Sequence, residues 1–267
     1  PVDSMCVMPF SVAEFASALE LEPAEAYEQY VRSTSLPYVL TLNNDPESIW
    51  QYLQGVYHTI VFKDVMSRGK VQDAELLDWV IRIVAESVGQ LTTYKTIADV
   101  LTESGRKTSS HTIDNYLQML CDSYIFRRVD RVDTRTKEVL RMGHKYYITD
   151  PGMRNMMFGH TTEYSELVLE NVVYLELLRR GYSVSVGRIG NKEIDFVCQR
   201  DEQTLYVQTA VTVADERALQ RELAPLREVP DNFPKLLLTT DPAPQGTHEG
   251  IVQSNLAQWL VTPETAE

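Results

Sequence analysis

The sequence predicts an α+β protein whose helices and strands fall into three successive regions. Apolar residues recur at helical spacing throughout residues 1–72. Residues 73–157 are typical of three helices followed by a β-hairpin, and residues 158–267 of an α/β order of helix, three strands, helix and strand. Of the 267 residues 43% are apolar, which is enough to bury a core. We therefore expect a multi-domain chain divided at these boundaries.

The first region contains three predicted helices, each with a recognisable start. Ser11 followed by Glu14 is a capping-box pattern, and Pro23 stands in the first turn of the second helix. The third helix is predicted to begin at the cap Asp45 and to end at Gly69. A helical segment of this size is marginally stable on its own.

The second region has the element order of a winged helix-turn-helix. We expect helices over 74–89, 92–105 and 109–126, then two strands around a polar turn at Thr134 to Lys137. Three helices followed by a hairpin are the order of this DNA-binding motif, in which the third helix is the recognition helix.

The charge distribution of the second region favours contact with nucleic acid there. The whole chain carries a net charge of −13, which argues against polyanion binding over its entire surface. Residues 106–145, however, contain nine Lys and Arg against five Asp and Glu, and phosphate binding depends on such local clusters. The candidate phosphate-contacting residues are Arg106, Lys107, His111, Arg127, Arg128 and Arg131. The interleaved acids weaken this field, so a protein-contact role stays open.

The third region has the layout of the restriction-endonuclease-like core, written PD-(D/E)xK. In that core a helix supplies a Glu, the next hairpin an Asp, and the following strand an acid and a Lys, because Mg²⁺ prefers oxygen ligands. We expect a long amphipathic helix over 163–180 that places Glu166 and Glu170 on one face, with Glu163 as a weaker candidate. Asp195 lies inside an apolar strand, a costly place for an acid without a partner.

The following strand lacks both residues that a nuclease needs there. Gln208 stands at the position of the second acid and Ala210 at that of the lysine. Either loss costs about 10² to 10³ in rate, although Lys192 is another cation that could take the lysine's place. We therefore expect a catalytically silent fold in which Glu170, Asp195 and Gln208 are vestiges. The alternatives are a weak Mg²⁺-dependent nuclease that uses these three residues and an unrelated α/β domain with a structural Asp195.

Taken in order, the motifs resemble the C-terminal region of a large family of bacterial and archaeal AAA-type ATPases. The motifs that carry the resemblance are spread over nearly the whole chain: MPFSVAEF, SLPYVL, SIWQYLQGVYHTIVFKDV, TIDNYLQML, HKYYITDPGMRN, LENVVYLELLRRGY, GNKEIDFV and YVQTAV. The resemblance implies that residues 1–72 end an ATPase or lid-like region, ahead of a winged helix and a degenerate nuclease-like domain. It also matches the family's Glu-Asn pair to Glu170 and Asn171, its Glu-x-Asp to Glu193 and Asp195, and its Gln to Gln208.

The chain departs from that family because it contains no ATPase core. A P-loop needs glycines, a lysine and then Ser or Thr, whereas the one Gly-Lys pair, Gly69-Lys70, is followed by Val71. Family members also carry Gly-Gly-Pro where this chain has Ser35-Leu36-Pro37. We expect no cofactor in this chain.

The leading hypothesis from the sequence is a non-catalytic module that binds DNA or docks another macromolecule for an ATPase domain. The alternative outside nucleic-acid binding is a protein-interaction or assembly module. The three isolated cysteines and five histidines show no metal-ligand spacing, so no metal site is expected. No apolar run is long enough to span a membrane and no leader is visible, so we expect a cytoplasmic protein with no membrane contact.

Overall fold

The N-terminal segment is helical, as predicted. The computed structural model of the chain describes residues 8–43, 45–69, 71, 73–158, 166–242 and 246–263. The first elements are α1 (Val12–Leu19), α2 (Pro23–Arg32), a 3₁₀ helix (Pro37–Thr41), α3 (Pro46–His58), a π-helical stretch (Thr59–Met66) and α4 (Ser67–Gly69). Ser11 and Glu14 form the predicted capping box, and Asp45 caps α3 through the Ser48 N–H. Lys70 lies outside the described residues.

The middle of the chain folds into helices followed by a hairpin, with one further helix that the sequence pattern did not predict. Its elements are α5 (Ala74–Glu86), α6 (Tyr94–Glu103), α7 (Ser110–Asp122), β1 (Phe126–Asp133), β2 (Val139–Ile148) and α8 (Pro151–Phe158). The three predicted helices and the hairpin are confirmed. The missed helix, α8, begins at a proline in its first turn directly after β2.

The last third of the chain alternates helices and strands. Its elements are α9 (Glu166–Arg179), β3 (Ser183–Ile189), β4 (Lys192–Arg200), β5 (Gln203–Ala210), α10 (Glu216–Glu228), β6 (Lys235–Thr239), β7 (Gly246–His248), β8 (Ile251–Asn255) and α11 (Leu256–Val261). The three strands before α10 and the strand after it are as predicted. Among the described residues, no helix combines the length and apolar character that crossing a membrane requires.

All the named strands belong to one mixed sheet of eight strands, which makes the fold α+β. The strand order is β2-β1-β3-β4-β5-β6-β8-β7. The hairpin joins the C-terminal strands through a parallel pairing of β1 with β3, in which Arg131 lies opposite Val186 and Asp133 opposite Arg188. The sheet therefore crosses from the second predicted region into the third.

Helix α9 is buried on every side, so the prediction of an amphipathic helix was wrong. The ten consecutive residues from 168 to 177 are all buried, and ten residues cover nearly three turns and hence every face. The helix contacts β2, β3, β4, β5 and α8. Its buried polar residues, Glu170, Asn171 and Glu176, all have partners inside the protein.

One hydrophobic core combines the three predicted regions. A single cluster of buried side chains includes Phe15 of α1, Val80 of α5, Val173 of α9 and Phe196 of β4. A second cluster lies between the sheet and α10 and includes Leu223. The N-terminal helices thus obtain from the rest of the chain the burial that they lack alone.

Asp150 connects the N-terminal segment to the end of the hairpin. One carboxylate oxygen of this buried residue accepts hydrogen bonds from Thr34 Oγ1 at 2.8 Å, the Ser35 N–H at 2.7 Å and Ser35 Oγ at 2.6 Å. The other oxygen accepts from the Met153 N–H at 2.9 Å in the first turn of α8. At Gly152, a Cβ atom would lie 2.2 Å from the carbonyl oxygen of Ser33, so only glycine allows this approach.

We predict that Asp150→Asn lowers the free energy of unfolding by about 2 to 4 kcal/mol. The amide NH₂ replaces one of two acceptor oxygens, so that a buried donor faces another donor. The measurement is urea denaturation at constant pH. The matched control is Asp99→Asn, which removes an exposed ion pair with Lys95 and should cost less than about 1 kcal/mol. Equal losses in the two variants would contradict the role of Asp150.

Candidate functional site

A buried group of charged side chains lies between β2, α9 and β4. Lys145 is 3% exposed, and its Nζ lies 2.8 Å from an oxygen of Glu170 and 2.8 Å from an oxygen of Glu193. The Tyr147 hydroxyl donates to the same Glu170 oxygen that binds Lys145. We call these four residues and the neighbouring Asp195 the Lys145 cluster.

The spacing of residues along β2 and α9 explains how their side chains reach this cluster. Lys145 and Tyr147 are two apart on β2, so both side chains point to the face that α9 covers. Next to Glu170 on α9, the Asn171 side chain accepts from the Ile148 N–H at 2.8 Å and donates to the Ile148 carbonyl at 3.0 Å. Two consecutive residues of α9 therefore hold the end of β2 at two points.

Lys145 stays protonated inside the protein. Burial alone lowers the pKa of a lysine, but the carboxylates of its ion-pair partners, Glu170 and Glu193, outweigh this effect and raise the pKa of Lys145 above its ordinary value. An ammonium group with two carboxylate partners is a stable arrangement in a buried site, whereas the same carboxylates without it are not.

Asp195 is a buried acid that retains its proton near neutral pH. One carboxyl oxygen accepts from the Thr209 N–H at 2.8 Å and from Thr209 Oγ1 at 2.7 Å. Burial, and then the charge of Glu170, raise the pKa of Asp195 to about 8, while Lys145 and the Thr209 hydrogen bonds act in the opposite direction. Asp195 must lose this proton before it can serve as an anionic metal ligand.

Gln208 lies beside Asp195, but both ends of its amide are already bonded. Its Oε1 accepts from the Asp195 backbone N–H at 3.2 Å, and its Nε2 donates to Glu222 of α10 at 3.1 Å. Glu222 in turn pairs with Arg221 at 2.8 Å. Gln208 therefore contacts the backbone of Asp195 and reaches toward α10, whereas Glu170 lies on α9 and binds Lys145 of β2.

Two other sequence-based candidates, Glu166 and Lys192, do not join the cluster, and the sequence pattern did not single out Lys145, which does. Glu166 is exposed, Glu163 lies outside the described residues, and Lys192 pairs with Glu228 at 2.5 Å instead. Lys145 is one of the nine cations that the sequence analysis counts in residues 106–145. Its position in the apolar run KYYI is the same signal that identified Asp195 in EIDF. Among the described residues, no group of three or more His, Cys, Asp or Glu could hold a metal ion.

The candidate phosphate-contacting residues differ in how far their charges are already paired. Arg106 forms ion pairs with Glu75 and, at 4.0 Å, with Asp73. Arg128 lies 3.4 Å from Asp130.

The remaining candidates lie before α7, at its start and on β1. Lys107 and His111 are exposed, and Arg131 is half-buried. The Arg127 guanidinium lies 5.0 Å above the ring of Tyr124. Lys107 and His111 are therefore the most accessible of the six.

We predict that Lys145→Met lowers the free energy of unfolding by about 3 to 5 kcal/mol, because it leaves Glu170 and Glu193 without their cation. Urea denaturation measures the loss. Adding Glu170→Gln to Lys145→Met should restore part of it, which separates charge from packing. Lys107→Met is the exposed control and should change stability by less than about 0.5 kcal/mol. If the double variant were less stable than Lys145→Met alone, the ion-pair role would be contradicted.

We predict that Asp195 makes the protein less stable as pH rises. Because the pKa of Asp195 is about 8 in the folded chain, above its ordinary value of 3.8, its stabilising contribution is complete below pH 3.8 and is lost as pH rises to 8. As pH rises, the unsubstituted chain should lose stability relative to Asp195→Asn. The difference between their free energies of unfolding should change by up to about 1.4 kcal/mol per pH unit. Urea denaturation from pH 5 to 8.5 tests this, with the exposed Asp201→Asn as control; a pH-independent difference would refute it.

The comparisons with known proteins identify a family and two relatives. An uncharacterized protein from Haemophilus influenzae is 34% identical over 262 residues, which cover 96% of this chain and 64% of the relative. The uncharacterized protein MJ1544 from Methanocaldococcus jannaschii is 25% identical over 196 residues, covering 70% of this chain and 43% of the relative. The chain thus spans less than two thirds of the length of either relative, and no solved structure matches it. Residues 24–164, from α2 through the hairpin, match the domain of unknown function DUF8612, and the chain belongs to that family.

Proposed function

We propose that this chain is a non-catalytic module that binds nucleic acid through α7 and the β1–β2 hairpin, and that its C-terminal α/β part supports them. The observation that carries the proposal is the position of α7, which follows two helices and leads directly into the hairpin. Thr92, between α5 and α6, pairs with His144 of β2. This isolated bridge between the α5–α6 connection and the hairpin supports a winged helix-turn-helix over residues 73–157.

The exposed surface at the start of α7 has the chemistry of a phosphate-contacting helix end. Its first turn contains no acid, and Ser110, His111, Asn115 and Gln118 are exposed along it. Lys107 is exposed in the turn that precedes it. A helix N-terminus carries a partial positive charge and free N–H groups, both of which favour phosphate.

The Lys145 cluster supports a silent version of the nuclease-like fold for residues 158–267. The ammonium of Lys145 lies between the carboxylates of Glu170 and Glu193, where it balances the charge that a metal ion would otherwise balance. Asp195 holds a proton, and the Gln208 amide is bonded at both ends. A divalent cation would have to displace Lys145 and deprotonate Asp195 together.

We also propose that this module serves an AAA-type ATPase core, with residues 1–72 as the end of a lid-like region. The order of motifs along the chain supports this partnership, and both relatives extend beyond the part that matches. The ATPase core would select its substrate through this module.

An exposed apolar edge favours a protein partner as the second candidate function. Val139 and Met142 are 61% and 79% exposed on β2, which is an edge strand of the sheet. Leu91 is also exposed and lies beside Gly143 of the same strand. Exposed apolar residues on a strand edge are a common docking feature for another chain. This function requires no nucleic-acid binding.

We predict that the chain binds short double-stranded DNA with an affinity that falls steeply as salt increases, and leaves the DNA intact in Mg²⁺. Fluorescence anisotropy over a salt series measures binding, and a gel detects cleavage. Lys107→Ala should weaken binding to all sequences and reduce the slope of log affinity against log salt by about 1. The control is Arg217→Ala, which removes another exposed cation, on α10.

Two results would redirect the proposal. Absence of binding at low salt would refute nucleic-acid binding and favour the protein partner at the β2 edge. Mg²⁺-dependent cleavage that disappears in Asp195→Asn would refute the silent site and establish the weak nuclease.

A further inference from the structure

Strand β2 bulges away from β1 in the middle of the hairpin. The pairing of β2 with β1 stops at Leu140 and resumes at Lys145, so residues 141–144 stand opposite the single residue Asp130. We call residues 141–144 the β2 bulge. Gly143 within it has a φ of +79°, a conformation that residues with a side chain rarely adopt. A bulge of this kind redirects the side chains that it contains.

The β2 bulge exposes an apolar side chain next to a cation. Met142 is 79% exposed and Arg141 is also exposed. His144 turns inward instead, because its Nδ1 lies 2.9 Å from Asp130 Oδ1 and its backbone pairs with Thr92. A single exposed apolar residue needs no explanation by itself. Here, however, the backbone of the bulge holds the methionine away from the sheet.

The turn of the hairpin, by contrast, is held against the C-terminal part of the chain. Lys137 Nζ donates to the Tyr206 hydroxyl at 2.9 Å and lies 3.4 Å from Asp231. The Thr134 N–H donates to the Arg188 carbonyl at 2.9 Å. The turn is therefore not free to enter a groove of DNA, and the part of the hairpin that can do so is the β2 bulge.

Tyr94 connects the bulge to α7. Its hydroxyl donates to the Asp114 carboxylate on α7, and the centre of its ring lies 5.8 Å from that of His144 in the bulge. Asp114 is three residues after the exposed His111 and so lies one helical turn from the start of α7. The two DNA grooves alternate along a duplex, so a helix in the major groove brings its neighbours against the adjacent minor groove.

We propose that Met142 enters the minor groove of duplex DNA as an apolar wedge between two base pairs, with Arg141 beside it against the backbone. The inference rests on the proposed nucleic-acid binding and adds where the duplex is distorted. Apolar wedges, methionine among them, unstack a base step and kink the duplex by about 20 to 90°. A kink costs least at a pyrimidine–purine step such as TA, so the wedge gives a sequence preference without hydrogen bonds to bases.

The test measures DNA shape together with affinity, using the full chain. A short duplex with a donor dye at one end and an acceptor dye at the other should show increased energy transfer on binding, because a kink brings its ends together. A duplex with a central TA step should bind about tenfold more tightly than one with a central A-tract of equal length at the same salt concentration. Fluorescence of 2-aminopurine placed at the TA step should rise as that step unstacks.

Substitutions of Met142 separate the wedge from an ordinary surface contact. Met142→Ala should abolish the increase in energy transfer and reduce the preference for the TA step to less than about twofold. Met142→Leu keeps an apolar wedge and should retain both properties. The matched control is Val252→Ala, which truncates a 44% exposed apolar residue on β8 and should change neither.

The outcomes distinguish this inference from the proposed function. Binding of both duplexes without a kink, unchanged in Met142→Ala, overturns the wedge and leaves nucleic-acid binding intact. An equal loss of affinity for the two duplexes in Met142→Ala also overturns the wedge, because a contact that depends on a kink must favour the flexible step. Absence of binding to both duplexes at low salt overturns both proposals and favours the protein partner at the β2 edge.

Discussion

The buried ion pair between Lys145 and Glu170 is the interaction on which the arrangement of the hairpin depends. It attaches the edge strand β2 to α9, the helix at the centre of the core, and the next residue of that helix, Asn171, bonds both backbone groups of Ile148. Removing water from a charged pair is costly, and such a pair persists only where each charge is fully partnered. The Glu-Asn pair on α9 therefore has a structural explanation that requires no chemistry.

Four polar residues in the stretch HKYYITDPGMRN form hydrogen bonds, each to a different part of the chain. Beyond Lys145 and Asp150, Arg154 donates from Nε to the Ala85 carbonyl at 2.9 Å, and Asn155 donates to the Val31 carbonyl at 2.5 Å. The segment thus contacts α9, the residues before the 3₁₀ helix, α5 and α2. Polar residues concentrated in a short stretch resemble an active-site motif in sequence, yet their partners here are backbone groups, hydroxyls and the acids Glu170 and Glu193.

Local signals in the sequence predicted most helices and strands, while the contacts of the candidate site were not predictable from it. The Ser11–Glu14 capping box and the apolar run around Asp195 depend on neighbouring residues only, and both were found. The contact of Lys145 with Glu170 depends on which strand lies beneath α9. The spacing of apolar residues along the sequence does not predict which strand that is. Counting Lys145 as a surface cation followed from composition, which does not distinguish paired from solvated charge. Helix α9 was predicted as amphipathic, but its acids Glu170 and Glu176 are buried and have partners inside the protein.

The parallel pairing of β1 with β3 has a mechanical consequence. The hairpin of an isolated domain can pivot about its connecting loop. This hairpin is instead paired through residues 131–133 of β1 with β3 of the larger sheet. In the proposed function, a pull on the bound strand would load those backbone hydrogen bonds and the Lys145 ion pair at the same time. Force applied to the hairpin would therefore pass through the sheet to α9 and the core.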